Sequence, residues 1–291
     1  MIMSEQNIIG MIFDCDDTLC EDSTTFLLKE LDINVDTFWR SVNLMVRRGW
    51  DPPLACMRKL IRLINSGRIR LTDKDLKRIG ARIAFFPGIP EVFDELQEYV
   101  EQIEDVEELG IKIEYYVVTS GFEELLRGSV IAPYMTDMFG CTFDMNPKTR
   151  MLRFPKSIVT FTEKTKFIFA INKGVSGARL RKSPYEVNNV VEENQRRIPF
   201  RNMLYIGDGP SDIPCFSLIL KNRGYGIGVY GKKSVTKAWQ LARGRRMTVG
   251  PYPCNYSKGQ PVRTMIHRTI KEIALDILRH KELRSIPAPR Y

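Results

Sequence analysis

Ile8-Ile9-Gly10-Met11-Ile12-Phe13-Asp14-Cys15-Asp16-Asp17-Thr18-Leu19 is the stretch on which the fold turns. Its first half is a short apolar run of the kind that forms a strand buried on both faces of a parallel sheet. It ends abruptly in three carboxylates within four positions, Asp14, Asp16 and Asp17. Clustered carboxylates repel one another and cost stability unless a cation neutralises them. In α/β sheets, ligands bind beyond the carboxyl ends of the strands. A hard, all-oxygen cluster at that place suits magnesium better than a transition metal.

Similar apolar runs recur at Ile111 to Val118, Met203 to Ile206 and Ile227 to Tyr230, separated by helical patterns. That alternation predicts an α/β fold with a parallel sheet. The third run leads straight into Gly207-Asp208-Gly209-Pro210-Ser211-Asp212, a second acidic cluster whose glycines allow a sharp turn. Either cluster alone reads more readily as a solvated turn. Two of them at the ends of buried strands argue for one site.

Between the first two strands the periodicity is helical. Asp51-Pro52 reads as an N-cap with proline in the first turn, and Met57, Leu60, Ile61 and Ile64 form one apolar face. Thr72 can cap a helix burying Leu76, Ile79 and Ile83, before Phe86-Pro87-Gly88-Ile89-Pro90 breaks the pattern. This stretch is too long for a connection, so residues 20–85 are expected to be a separate helical module on a core of residues 1–19 and 86–291. Further on, the pattern predicts a helix over 123–131, a strand over 140–145 and a hairpin turning at Asn146-Pro147. Thr162 is expected to cap a helix carrying Phe167, Ile168 and Ile171. Residues 174–200 read as an insertion or a pair of loops, and Ile266, Ile270, Ile273 and Ile277 mark a C-terminal helix.

Composition narrows the class. The 291 residues are 43% hydrophobic and 27% charged, as in a globular protein. No apolar run reaches the roughly 18–20 residues that span a bilayer, and Met1 to Gly10 lacks the basic region of a signal peptide. The six cysteines (Cys15, Cys20, Cys56, Cys141, Cys215, Cys254) form no C-x-x-C pair, which fits reduced thiols and a cytoplasmic location. The two histidines, His267 and His280, fall on a C-terminal helix expected to be exposed, so histidine catalysis is not expected. The net charge of +9 favours anionic partners. Arg179, Arg181, Lys182, Arg196, Arg197, Arg201, Arg243, Arg245 and Arg246 fit a nucleic-acid footprint or, more commonly, solvated basic faces.

Taken together, the motifs resemble the haloacid dehalogenase superfamily, especially its phosphoserine-phosphatase-like branch. D-x-D-x-T after a strand is matched by Asp14, Asp16 and Thr18, the Ser or Thr ending a second strand by Thr119, and G-D-x-x-x-D by Gly207, Asp208 and Asp212. The lone motif lysine is matched by Lys164, with Lys166 as the alternative. The resemblance covers Ile8 to about Tyr230. It implies a Rossmann-like core with a helical cap inserted after the first strand, and a magnesium-dependent phosphatase.

On that resemblance Asp14 is the nucleophile that forms an aspartyl-phosphate, and Asp16 the general acid and base. Asp14, the Asp16 backbone carbonyl and Asp208 hold Mg2+, with Asp212 a direct or indirect partner. Thr119, the Ser120 amide and Lys164 hold the phosphoryl oxygens. An aspartate two residues after the nucleophile goes with phosphatases and phosphomutases and argues against dehalogenation. The cap favours a small phosphorylated metabolite over nucleic-acid ends. Cap residues Arg47, Arg48, Arg58 and Lys59 either meet an acidic substrate or form a solvated face. Phosphomutase, nucleic-acid 3′-phosphatase and nucleic-acid-binding protein are the competing readings. Residues 174–200 and the chain past Gly250 lie outside the phosphoserine phosphatase pattern, so the substrate is not carried over.

Four remaining features have structural readings. Cys15 suits packing better than thiol chemistry. Gly226-Ile227-Gly228-Val229-Tyr230-Gly231 has the G-x-G-x-x-G form but is itself strand-like, and Gly231-Lys232-Lys233-Ser234 lacks the Lys-Ser/Thr step of a phosphate loop. Gly250 to Tyr256 reads as a connection.

Overall fold

The computed structural model describes residues 6–232, 235–244 and 246–285; Lys233, Ser234 and Arg245 lie outside the described residues. The chain runs β1 (Ile8–Phe13), α1 (Ser23–Glu30), α2 (Val35–Val46), α3 (Pro52–Asn65), α4 (Asp73–Gly80), α5 (Glu91–Glu101), β2 (Lys112–Phe122), α6 (Glu123–Leu126), β3 (Met135–Met145) and β4 (Leu152–Ser157). It continues with α7 (Glu163–Lys173), α8 (Gly177–Lys182), β5 (Met203–Gly207), α9 (Ile213–Lys221), β6 (Tyr225–Tyr230), α10 (Val235–Arg243), β7 (Val249–Pro253) and α11 (Pro261–Ser285).

The seven strands form one sheet in the order β4-β3-β2-β1-β5-β6-β7, parallel except for β4. The chain winds outward from β1 first through β2 and β3, then through β5, β6 and β7. The reversal leaves a crevice above β1 and β5, the place where doubly wound sheets bind ligands. Register fixes what meets there. Phe13 lies opposite Val117 of β2 and Ile206 of β5, so Asp14, Thr119 and Asp208 emerge one or two residues later at the same level. β1 is completely apolar because both its faces are covered; Ile9, Met11 and Ile12 are fully buried.

Helices α1 to α4 fall between β1 and β2 and build the roof over the crevice. Asp22, Asn34, Asp51 and Thr72 cap them through their side chains, and Thr72 forms a capping box with Asp75. They are not held by side chains alone. Leu152 N–H donates to the Leu71 carbonyl at 3.0 Å, and a Cβ on Gly80 would stand 1.8 Å from the Leu125 carbonyl oxygen. The backbones of α4 and α6 meet where only glycine fits.

Several expectations need correction. The helix expected over 123–131 stops at Leu126, because Gly128 is pressed against the Lys77 backbone of α4 and the chain must turn. The strand expected over 140–145 begins at Met135; its first half pairs parallel with β2 and its second antiparallel with β4. Thr162 occupies the N-cap position of α7, but its side chain makes no capping bond. Residues 174–200 are folded onto the core by buried Val175, Leu180, Val187 and Ile198, with Lys173 Nζ donating to the Val187 carbonyl at 2.6 Å. Val249–Pro253 is an edge strand, where a proline without an N–H is tolerated. His267 is half-buried, not exposed, with its ring 4.5 Å from that of Tyr99. The G-x-G-x-x-G segment is β6 itself, as its alternation indicates.

Candidate active site

The crevice holds a pocket of about 450 Å³ whose floor includes Asp14, Asp16, Thr119, Ser120, Lys164 and Asp208. Its roof comes from α2, the start of α3 and the chain entering α1. No helix among the described residues is long and apolar enough to cross a membrane.

Asp14 extends the ladder of β1 by donating its N–H to the Ile206 carbonyl at 2.9 Å, which sets its carboxylate at the sheet edge. The chain then reverses: the Leu19 N–H returns to the Cys15 carbonyl at 2.8 Å, and Asp17 takes φ 56°, a left-handed conformation that aspartate tolerates. Asp16 points back to α1, where its Oδ1 accepts the Ser23 N–H at 2.8 Å. Cys15 is fully buried with its Sγ 3.7 Å from that of Cys20, in keeping with a packing role.

Lys164 binds the two acidic clusters together. It sits in the first turn of α7, 1% exposed, with Nζ 2.9 Å from Asp14 and 2.8 Å from Asp212. Lys166, the alternative, is half-exposed and paired with Glu163. Asp212 is saturated. Its Oδ1 accepts from Lys164 Nζ at 2.8 Å and Tyr205 Oη at 2.7 Å, and its Oδ2 from the Asp208 and Gly209 N–H groups at 3.2 and 3.1 Å. It therefore fixes the loop that presents Asp208.

Burial shapes the charges. Desolvation, with repulsion from Asp212, raises the Asp14 carboxyl to about 6 against the pull of Lys164. Asp16 is raised to about 7, first by desolvation and then by the Asp22 charge. Burial by itself would lower Lys164, but Asp14 and Asp212 outweigh it and hold the ammonium above its usual range.

The carboxylates of Asp14, Asp208 and Asp212 come within 4.8 Å of one another and are all buried. A buried set of oxygen donors suits a hard divalent cation. The Asp16 carboxylate is outside that trio, grouped instead with Cys15 and Cys20. Thr119, 1% exposed, accepts the Gly121 N–H on its hydroxyl at 3.0 Å, and the buried Ser120 hydroxyl has no hydrogen-bond partner.

Arg47, Arg48, Arg58 and Lys59 do not line the pocket: Arg58 lies over the Trp50 ring at 4.1 Å, and Lys59 borders a different cavity. Conversely, Asp22, Trp39, Gly121 and Phe161 line it, and Tyr205 braces it from below, although no motif marks them. Only Tyr205 carries a legible signal, as the one polar group inside an apolar strand.

No family model matches the chain. Solved structures with a similar fold include a phospho-aspartyl intermediate analogue of phosphoserine phosphatase, with TM-score 0.53 and 14% identity over 89% of this chain and 98% of that one. A probable phosphoserine phosphatase from Vibrio cholerae gives TM-score 0.53 at 11% identity, covering 96% of this chain and 68% of that one. A HAD family hydrolase from Salmonella enterica serovar Typhi gives 0.51 at 17%, where this chain covers 65% of the hydrolase and is itself covered over 80%. The fold is thus one that this chain shares with these phosphoserine phosphatases and the HAD family hydrolase. The chain belongs to one family with an uncharacterized protein of Borreliella burgdorferi, 30% identical over 282 residues, 87% of this chain and 93% of that one.

Proposed function

We propose that the protein is a magnesium-dependent phosphatase acting on a small phosphorylated metabolite through an aspartyl-phosphate at Asp14. The observation that carries this reading is the ion pair of Asp14 with buried Lys164 at the floor of a pocket, beside Asp16 and Asp208. The shared fold supports it, as does the roof of α2 and α3 over a pocket of about 450 Å³.

In this reading a carboxylate oxygen of Asp14 attacks phosphorus, forming an O–P bond as the ester O–P bond breaks. Asp16 gives its proton to the departing oxygen, so an alcohol leaves. Asp16, now ionised, takes a proton from water, whose oxygen attacks phosphorus; inorganic phosphate departs and the Asp14 carboxylate is restored. A side chain lifted by burial towards neutral pH suits both halves of that exchange. Thr119, the Ser120 N–H and Lys164 hold the non-bridging oxygens as charge spreads over them. Asp14, the Asp16 carbonyl and Asp208 would hold Mg2+, with Asp212 acting through its hold on the Asp208 loop. When bound, the metal supplies charge neutralisation for the phosphoryl group and the clustered carboxylates.

The test is p-nitrophenyl phosphate hydrolysis by wild type and Asp14→Asn, with magnesium and with EDTA. Turnover is expected only for wild type with magnesium. Equal turnover by Asp14→Asn would remove the nucleophile assignment.

A further inference from the structure

Cys15 and Cys20 close the loop that carries Asp16 and Asp17, and both are fully buried. The backbone holds them together: the Leu19 and Cys20 N–H groups both reach the Cys15 carbonyl, at 2.8 and 3.3 Å, and the Asp17 N–H donates to the Cys20 carbonyl at 2.8 Å. Their sulfurs stand 3.7 Å apart. The Asp16 carboxylate completes a set of three, one ligand atom from each residue, all within 4.8 Å of one another. The Ser23 N–H, donating to Asp16 Oδ1 at 2.8 Å, orients that carboxylate. Packing accounts for small side chains at both cysteine positions, but not for two sulfurs held beside a carboxylate.

The separation of the sulfurs points to a metal. A tetrahedral zinc with bonds of about 2.3 Å to sulfur spans two sulfurs about 3.8 Å apart, so it would enter without moving them. A disulfide would need them to close to about 2.0 Å. Thiolate ligands select a soft or borderline cation, whereas the oxygen set of Asp14, Asp208 and Asp212 suits a hard one. Two thiolates and a carboxylate leave one tetrahedral position for water. Asp16 is partly exposed and lines the pocket, which gives a cation its route in. Asp14, Asp17, Asp22 and Asp208 line the same pocket against one ammonium among the described residues, that of Lys164, so cations are drawn there.

From this geometry we propose that Cys15, Cys20 and Asp16 form a binding site for a thiophilic divalent cation of the zinc class, separate from the magnesium site, whose filling stops turnover by taking the Asp16 carboxylate. The two thiol protons pass to solvent as the metal binds. The effect on turnover rests on the phosphatase reading; the site itself does not.

The experiment titrates the full-length protein with cadmium, as a spectroscopic probe, and with zinc against a chromophoric chelator. Magnesium is in large excess and a phosphine keeps the thiols reduced. Wild type is expected to show an ultraviolet thiolate-to-cadmium charge-transfer band that saturates at one equivalent. Cys20→Ser is expected to weaken zinc by about tenfold or more. Cys15→Ser/Cys20→Ser is expected to lose the band, with folding checked by circular dichroism, while Asp208→Asn changes zinc affinity by less than about threefold. One equivalent of zinc is expected to stop p-nitrophenyl phosphate hydrolysis by wild type and to leave the turnover of the double variant, relative to its own zinc-free rate, unchanged. A wild type without the band, or a band that survives in the double variant, would overturn the site. Zinc affinity lost in Asp208→Asn and kept in Cys20→Ser would do the same, by placing the metal with magnesium. Zinc held by these thiols with turnover undiminished would overturn the part played by Asp16. A protein that shows the band yet hydrolyses no ester would uphold the site and overturn the phosphatase reading.

Discussion

Asp212 is where the site's architecture can be broken with one atom. Its carboxylate accepts four hydrogen bonds, two on each oxygen: Lys164 and Tyr205 on one, the Asp208 and Gly209 N–H groups on the other. Asparagine has the same shape but only one accepting oxygen. If its NH2 faces the backbone, two amide donors lose their acceptor in a fully buried place. If it faces the other way, Lys164 loses one of its two carboxylates and only the Tyr205 hydroxyl can adapt by accepting. Each buried unsatisfied donor costs about 1–3 kcal/mol, so two place Asp212→Asn about 2–6 kcal/mol below wild type. Tyr205→Phe removes one donor and leaves the carboxylate three partners, a loss of only about 1 kcal/mol. Urea denaturation of the three proteins at neutral pH measures both values. An Asp212→Asn stability within about 0.5 kcal/mol of wild type, or a larger loss for Tyr205→Phe, would refute this account of how the Asp208 loop is held.

Two more outcomes follow from local geometry. A Cβ at Gly121 would lie 3.3 Å from Ser23 Oγ and Thr119 Oγ1 and 3.5 Å from Asp16 Oδ2. Gly121→Ala is therefore expected to lower kcat about tenfold while costing less than about 1 kcal/mol of stability, read by steady-state kinetics and denaturation together. Away from the site, Glu114 forms a bidentate pair with Arg197 and accepts from Tyr116. Burial would raise its carboxyl, but those partners hold it below the usual range. A depressed carboxyl stabilises the fold above the unfolded pKa and loses that effect as pH falls through the folded value. Glu114→Gln should therefore cost about 1 kcal/mol at pH 7, limited by the partial exposure of Arg197, with the gap closing below about pH 4. A gap that widens with acid in denaturation curves would contradict the assignment.

Much of this arrangement was legible in the residues. A strand buried on both faces leaves an uninterrupted apolar run, so β1, β2, β5 and β6 announce themselves, and the carboxylates stand out by ending such runs. Lys164 could be ranked above Lys166 because the apolar positions at +3, +4 and +7 leave it at the mouth of α7. Other parts carry no local signature. β3 changes partner midway from parallel to antiparallel, so no single alternation marks it. The helix after Glu123 is cut short by the backbone of α4, a contact made by residues far away in the chain. Residues 174–200 look polar because their four buried anchors are widely spaced. The roof charges illustrate the same limit: Arg58 is basic in sequence, yet Trp50 takes it away from the pocket. Asp22 caps α1 and also lines the pocket, a place that no motif marks.

The central claim is covalent chemistry at Asp14, and the most direct measurement is to quench magnesium-loaded protein in acid during turnover of p-nitrophenyl phosphate and map the adduct by mass spectrometry. The account predicts a phosphoryl group on the peptide containing Asp14, removed by hydroxylamine and missing from Asp14→Asn. Steady turnover with that peptide unmodified, or with the phosphoryl group on another residue, would contradict it.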